Sequence, residues 1–353
     1  MTDPIPRLLL RRLANAELIH HASSAGTITS HANKVRCERP GLEPMTYRFP
    51  ERGWKRLALQ SRILRRLLRL DKSVVVPVQQ GTGWSALIVI RGGRVYHVDL
   101  DTNEVIPTLD LRQSRNPLHQ SVCQSGRGWF YQGEYGSNPN RESVPIYRSV
   151  DHGRSWHTIF EVPAGKARHI HGCFWDPFEE RVWVCTGDFI GENHLLVADE
   201  AFDDVEWIGD GGQTWRTCHP FFTASFVFWG MDSQLETSYV YRLKRSDRSV
   251  RRVFELPGPV WYGKHLSDGW MIVATAVEKG PGVYSDRAHV YASRDGERWL
   301  EVMQARKDGW RMPLFKNGVI NFATGDQASS EFYLSAEGLV GMDGLAYAAA
   351  LQP

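Results

Sequence analysis

The sequence predicts an all-β fold, a β-propeller of six blades that a seventh could join, behind a basic, partly helical lead-in. Three observations predict it. From Ser73 onward the apolar residues fall in short runs bounded by Gly, Asp and Asn turns. A ten-residue turn motif recurs in degraded form at multiples of a blade-sized interval of about 40–50 residues. The chain carries 13 Trp and 32 Gly, a composition that repeated, tightly turned blades use.

Residues 1–72 form a compositionally distinct segment, with 15 Lys/Arg against 6 Asp/Glu. The remaining 27 basic and 34 acidic residues make the rest of the chain acidic. The stretch Trp54–Leu70 predicts an amphipathic helix. Leu57, Leu64 and Leu68 recur at helical spacing, Ile63 and Leu67 widen the stripe, and Arg62, Arg65, Arg66 and Arg69 occupy much of the remaining surface. Two arrangements suit it. The leucines pack on the body and the arginines are solvated, or the arginines meet an anionic membrane surface.

Residues 73–353 predict the propeller. Ser73–Val78, Ala86–Ile90 and Arg94–Leu100 read as strands, and turn signals recur at Gly126-Arg127-Gly128, Asp176-Pro177, Ser267-Asp268-Gly269 and Lys316-Asn317-Gly318. At about 45 residues per unit this length makes roughly six blades. A seventh requires the N-terminal segment to supply strands, with Leu345–Ala349 available for closure.

The turn motif is fullest at Ser149-Val150-Asp151-His152-Gly153-Arg154-Ser155-Trp156. Asp151 can accept backbone N–H groups across the turn, Gly153 can take positive φ, and Trp156 can cover the blade edge. Partial copies stand at Asp210–Trp215 and Asp295–Trp299. The motif resembles the Asp-box of sialidase-like β-propellers. That resemblance implies a structural role on the outer rim, away from the central channel.

Composition excludes several classes. Five scattered cysteines, an odd number with no CxxC pair, argue against a disulfide framework and for a reducing cytoplasm. No signal-peptide h-region precedes Arg11-Arg12, and no apolar run reaches the length of a membrane span. The expected location is cytoplasmic, with peripheral contact to an inner membrane through residues 54–70. An acidic body argues against nucleic acid as the partner.

Aligning the blades on their turns exposes a second repeat. An apolar strand ends in Glu134, Asp188, Asp232, Glu278 and Asp326 in turn. The strands before them begin with Arg168-His169-Ile170-His171, Arg216, Tyr262 with Lys264, and Arg311. In an antiparallel hairpin the start of one strand lies beside the end of the next. Both sets therefore converge on one mouth if these strands are the inner pair of each blade.

His169 and His171 are two apart on a strand and share a face. With Asp188 they suit a general base with an orienting carboxylate, or a divalent-metal site. The tripeptide resembles the His-x-His strand of oligogalacturonate-lyase propellers, which implies a metal held by His169 and His171. Tyr262 with Glu278 is a second catalytic pair. Arg168, Arg216 and Arg311, from three blades, are similar to the carboxylate-holding arginines of sialidases, with Lys264, Glu134, Asp232 and Asp326 completing a substrate-binding set. The expected function is a glycosidase or lyase acting on an acidic oligo- or polysaccharide. A non-catalytic glycan-binding protein of surface-polysaccharide production and a protein-interaction scaffold are the alternatives.

Overall fold

The computed structural model describes residues 6–51, 53, 55–70 and 72–352. Over them the chain is a seven-bladed β-propeller, seven four-stranded antiparallel sheets with little helix. The first blade is Leu18–Ser23, Gly26–His31, Lys34–Glu38 and Met45–Arg48. The second begins at Val74–Gln80, the third at Val122–Gln124, the fourth at His169–Asp176, the fifth at Pro220–Phe222 and the sixth at Val260–His265. The seventh takes Val319–Phe322, Phe332–Glu337 and Leu345–Gln352 from the C-terminus and Arg7–Arg12 from the N-terminus. Arg7 pairs with Gln352 and Arg12 with Tyr347. The chain divides into two compact units, Met1–Lys72 with Gln234–Ser238 and Val253–Pro353, and Ser73–Ser233 with Tyr239–Arg252.

The seventh blade exists because the N-terminal segment supplies strands. Within the irregular, partly helical lead-in expected over residues 1–72, five short strands fall between Arg7 and Arg48. Ile19, Ile28, Val35 and Tyr47 point inward from the first blade. Its strands are only four to six residues long, too short for their alternation to stand out among the arginines.

The helix expected over Trp54–Leu70 is two short helices, α1 (Lys55–Ala58) and α2 (Arg62–Leu68), with Trp54 and Arg52 outside the described residues. Its orientation reverses both expectations. Leu57, Ile63, Leu64 and Leu67 are exposed, while Arg65 and Arg66 are buried. Arg65 pairs with Glu17 and donates to the Leu59 carbonyl at 2.6 Å. Arg66 pairs with Asp308 and lies 3.6 Å from Asp343, and Arg62 bonds Asp343 at 3.0 Å. Carboxylates from the rest of the chain decide which face is buried, and spacing along the helix does not reveal them. No described helix is long and apolar enough to cross a membrane.

Asp-centred turns are present at two of the three copies. Ser155 donates its backbone N–H to Asp151 Oδ1 at 2.9 Å and its hydroxyl to Oδ2 at 2.6 Å, while Gly153 N–H meets Ser149 Oγ at 2.7 Å. Asp295 accepts from Glu297 and Arg298 N–H, with Gly296 N–H on Ser293 Oγ. Trp156 and Trp299 are buried behind these turns. The stretch with Asp210 and Trp215 differs. It straddles the end of the fourth strand of its blade (Val205–Gly211), where Asp210 accepts Gly212 N–H and Trp215 stacks on Trp229. Lacking the Ser at its head, it becomes a one-turn helix leading toward the next blade.

Gly153 has φ +84°, and a Cβ there would meet Ile88 Cγ1 at 2.6 Å. Gly153→Ala should lower the unfolding free energy by about 1–3 kcal/mol through positive φ and the clash. An unshifted urea midpoint would refute this account of the turn.

Blades pack face to face through apolar side chains. Val78, Ile88 and Val95 of the second blade meet Phe130 and Tyr147 of the third, and Ile146 meets Ile170, Val184 and Leu196 of the fourth. Trp183 and Trp229 are fully buried together in the next layer. Each such large side chain contributes about 1.5–3 kcal/mol by leaving water. The rigid stack fixes where the ends of the inner strands project.

Candidate functional site

The second unit contains one dense centre. The strand His169–Asp176 pairs with Arg181–Gly187, bringing His169 opposite Gly187 and hence beside Asp188. The register slips between Ile170 and Gly172, so His171 sits in a β-bulge. A bulge re-aims its side chain, and both rings turn toward one oxygen. Asp188 Oδ1 lies 3.5 Å from His169 Nε2 and 3.3 Å from His171 Nε2. Gly187 permits the turn into Asp188, since a Cβ there would strike Asn193 Oδ1 at 2.2 Å.

The far nitrogens define the rings' protonation. His169 Nδ1 faces the Gly136 carbonyl at 2.9 Å and His171 Nδ1 faces the Thr217 carbonyl at 3.0 Å. A carbonyl oxygen only accepts, so both Nδ1 atoms carry hydrogen. A neutral ring then offers its Nε2 lone pair toward Asp188. Two lone pairs then face a carboxylate oxygen that already has the Arg216 guanidinium at 3.0 Å, an arrangement that a proton on one imidazole or a bound cation would complement. Burial holds His169 below the ordinary imidazole value, against the opposing pull of Asp188. Burial alone would raise the Asp188 carboxyl, but its interactions with His169 and His171 outweigh it and hold the group far below the usual carboxylate range.

Two arginines complete the centre. Arg168 Nη1 bonds Asp188 Oδ2 at 2.6 Å and is half-buried. Arg216 reaches Asp188 Oδ1 at 3.0 Å and Asp232 Oδ2 at 3.3 Å. It is buried between these two carboxylates, which occupies the guanidinium expected to hold substrate. The one-turn helix Gln213–Trp215 carries Gln213 into the centre, where its amide donates to the Asp188 carbonyl at 3.0 Å. Burial pushes the Cys218 thiol up, so it remains protonated and donates to Asp232 at 3.3 Å. The Tyr135 ring covers His169 with centroids 4.2 Å apart. Sequence reasoning missed Gln213, Cys218 and Tyr135, none of which stands in a motif that separates it from ordinary blade residues.

Six predicted residues, His169, His171, Asp188, Arg168, Arg216 and Asp232, are thus brought together. Glu134 is near but occupied. It accepts N–H from Arg112 and Ser114 at 2.5 and 2.9 Å and the Tyr147 hydroxyl at 3.0 Å. Glu134 and Arg168 line a cavity of about 370 Å³ with Asn138 and Glu142.

The remaining predicted residues belong to the first unit. Tyr262 is fully buried. Lys264 is buried and donates to the Ala323 carbonyl at 3.0 Å and to the Gly325 carbonyl. Burial lowers it to about 7, against the pull of the exposed Asp326. Arg311 is exposed at the start of a short helix, α3 (Met312–Phe315). Glu278 lines a separate cavity.

The donor set fits a divalent metal. His169 Nε2, His171 Nε2 and an Asp188 oxygen lie within 4.8 Å of one another. His169 Nε2 and Asp232 Oδ1 are buried without a hydrogen-bond partner. Nδ1 bonds to carbonyls are the usual outer support of metal-bound imidazoles. Arg216 competes for the same Asp188 oxygen, so a metal would displace that contact.

No protein-family model matches the chain, and no curated protein matches it by sequence. Solved structures do. An oligogalacturonate lyase in complex with manganese aligns with TM-score 0.59 and 10% identity over 99% of this chain and 97% of that one. An oligogalacturonate lyase from Vibrio parahaemolyticus aligns with TM-score 0.57 and 9% identity, over 98% and 97%. The extracellular domain of a proposed one-component system from B. thetaiotaomicron aligns with TM-score 0.58 and 10% identity, over 98% of this chain and 40% of that chain. At such identities the likeness is one of fold.

Proposed function

We propose that this chain is a carbohydrate-active propeller that cleaves an acidic oligosaccharide by elimination at the centre of His169, His171 and Asp188. The observation that carries the proposal is the convergence of two Nδ1-protonated imidazoles on one carboxylate oxygen. Arg168, half-buried and beside a cavity, suits the substrate's carboxylate. With no metal bound, and once substrate opens the centre in which its Nε2 is buried, His169 would take the proton α to that carboxylate. The C–H electrons form the new C=C bond as the glycosidic C–O bond breaks, and the leaving oxygen takes up a proton. Elimination suits the site better than hydrolysis. A hydrolytic acid needs a carboxyl that holds its proton near neutrality, whereas Asp188 is held far below that range.

A divalent metal bound by His169, His171 and Asp188 is the alternative use of the same lone pairs: it would supply Lewis-acid neutralisation of the substrate carboxylate and leave the proton to a base other than His169. The likeness to a manganese-bound lyase supports testing that ion. Kinship with Asp-box propellers is part of the same proposal, supported by the turns at Asp151 and Asp295. So is contact of residues 54–70 with an anionic membrane, which the exposed leucines with Lys55, Arg56 and Arg69, and not the buried Arg65 and Arg66, would make.

The test is ultraviolet detection of unsaturated product from a panel of uronate oligosaccharides, with Mn²⁺ or chelator. Turnover should fall about 10²–10⁴-fold in His169→Ala and His171→Ala, with binding retained. Binding without product would leave the glycan-binding reading, and neither would leave the scaffold.

A further inference from the structure

The cavity lined by Glu278, in the first unit, has a volume of about 300 Å³, the lower end of small-molecule sites. Arg69, Lys72, Lys279 and Lys316 line it, against two carboxylates, Glu278 and Glu337. The excess is positive, and a concave wall concentrates that field.

Three backbone features converge on this wall. Val277 N–H bonds the Gly318 carbonyl at 2.8 Å, setting Glu278 and Lys279 beside Lys316 and Asn317. The register of the strand Val260–His265 slips between Val260 and Tyr262, so Trp261 occupies a β-bulge and lines the cavity. Lys316 has φ 68° and ψ 166°, a conformation that is nearly glycine-only. A lysine is retained there with its ammonium on the Glu337 carboxylate at 2.6 Å. Burial alone would raise Glu337, but the charges of Lys316, Lys72 and Arg62 outweigh it and hold the group ionised. Lys279 and Arg69 are exposed and lie at the same wall.

We infer that this cavity is a binding site for a sugar-sized anion, a ring carrying a phosphate or carboxylate. The ring lies on Trp261 and the anionic group meets Lys316, Lys279 and Arg69. Arginine and lysine provide charge-assisted hydrogen bonds, and an indole face takes the C–H surface of a pyranose. The site shares no lining residue with the His169–Asp188 centre, and its ligand need not be that centre's substrate.

The test is calorimetric titration of the full chain with glucose 6-phosphate, galacturonate, inorganic phosphate and neutral galactose. At least one sugar anion should saturate and weaken with added salt, and galactose should not bind. The tighter of glucose 6-phosphate and galacturonate identifies the anionic group. Arg69→Ala with Lys279→Ala, both at exposed positions, should weaken binding about tenfold or more. Lys316→Gly, which suits the local backbone, should do the same while the chain remains folded. Trp261→Leu should weaken the sugar anion and leave inorganic phosphate unaffected. His171→Ala should bind like the parent protein, which separates this site from the proposed catalytic one. No saturation by either sugar anion, equal affinity for galactose, or unchanged affinity in the double variant overturns the inference.

Discussion

Asp188→Asn is expected to lower the unfolding free energy by about 3–5 kcal/mol, the range for removing one partner of a buried ion pair. Two guanidiniums depend on this carboxylate. Arg216 is buried and shares it with Asp232, and Arg168 bonds its other oxygen at 2.6 Å. Asparagine keeps the shape and the backbone carbonyl that Gln213 and Arg216 Nη1 use. The loss therefore isolates the charge. Arg168→Ala is the control. Arg168 is half-buried, and its removal should cost about 1 kcal/mol, in the range of a partly solvated pair. Urea unfolding of both variants decides the matter. A loss under 1 kcal/mol for Asp188→Asn would mean that Arg216 is supported by Asp232 alone.

Arg66→Ala should destabilise the chain about as strongly, by roughly 3–5 kcal/mol. Its guanidinium is buried, pairs with Asp308, and donates to the Phe315 carbonyl at 2.5 Å. Leu67→Ser on the same helix should change stability by less than about 0.5 kcal/mol, because Leu67 is exposed. The usual order for an amphipathic helix is the reverse. The pair also carries a pH signature. Burial alone would raise Asp308 above its ordinary value of 3.8, but hydrogen bonds and charge from Arg66 and Lys307 outweigh burial and lower it. A depressed carboxylate contributes fully above its unfolded value and loses that contribution as pH falls through the folded one. The gap between parent and Arg66→Ala should be full above about pH 4 and narrow in stronger acid. Thermal melts of both proteins from pH 7 to pH 3 would show it. A gap that does not narrow would remove Asp308 from the account.

Parts of the centre are legible in the sequence. His169 and His171 two apart, and Asp188 at the end of the next strand, follow from hairpin geometry, because those residues are neighbours along one local fold. The role of Arg216 was not legible. Its partners, Asp188 and Asp232, lie on either side of it in the chain, and a reading of arginines as free ligands has no way to see that both carboxylates face one guanidinium. Gln213 and Tyr135 were invisible for a related reason. A short helix and a ring contact bring them in, and neither leaves a periodic trace.

By itself the sequence determined the all-β class, the Asp turns at Asp151 and Asp295, and the meeting of His169, His171 and Asp188. Turn chemistry, strand alternation and hairpin register act over ten or twenty residues, so they are written in consecutive letters. Tertiary structure alone decided that the N-terminal residues complete a seventh blade, that the arginines of α2 and not its leucines face inward, and that Lys316 and Trp261 share a cavity wall. Those outcomes depend on which distant strand ends and carboxylates are available as partners, and burying a charge is favourable only where such a partner waits.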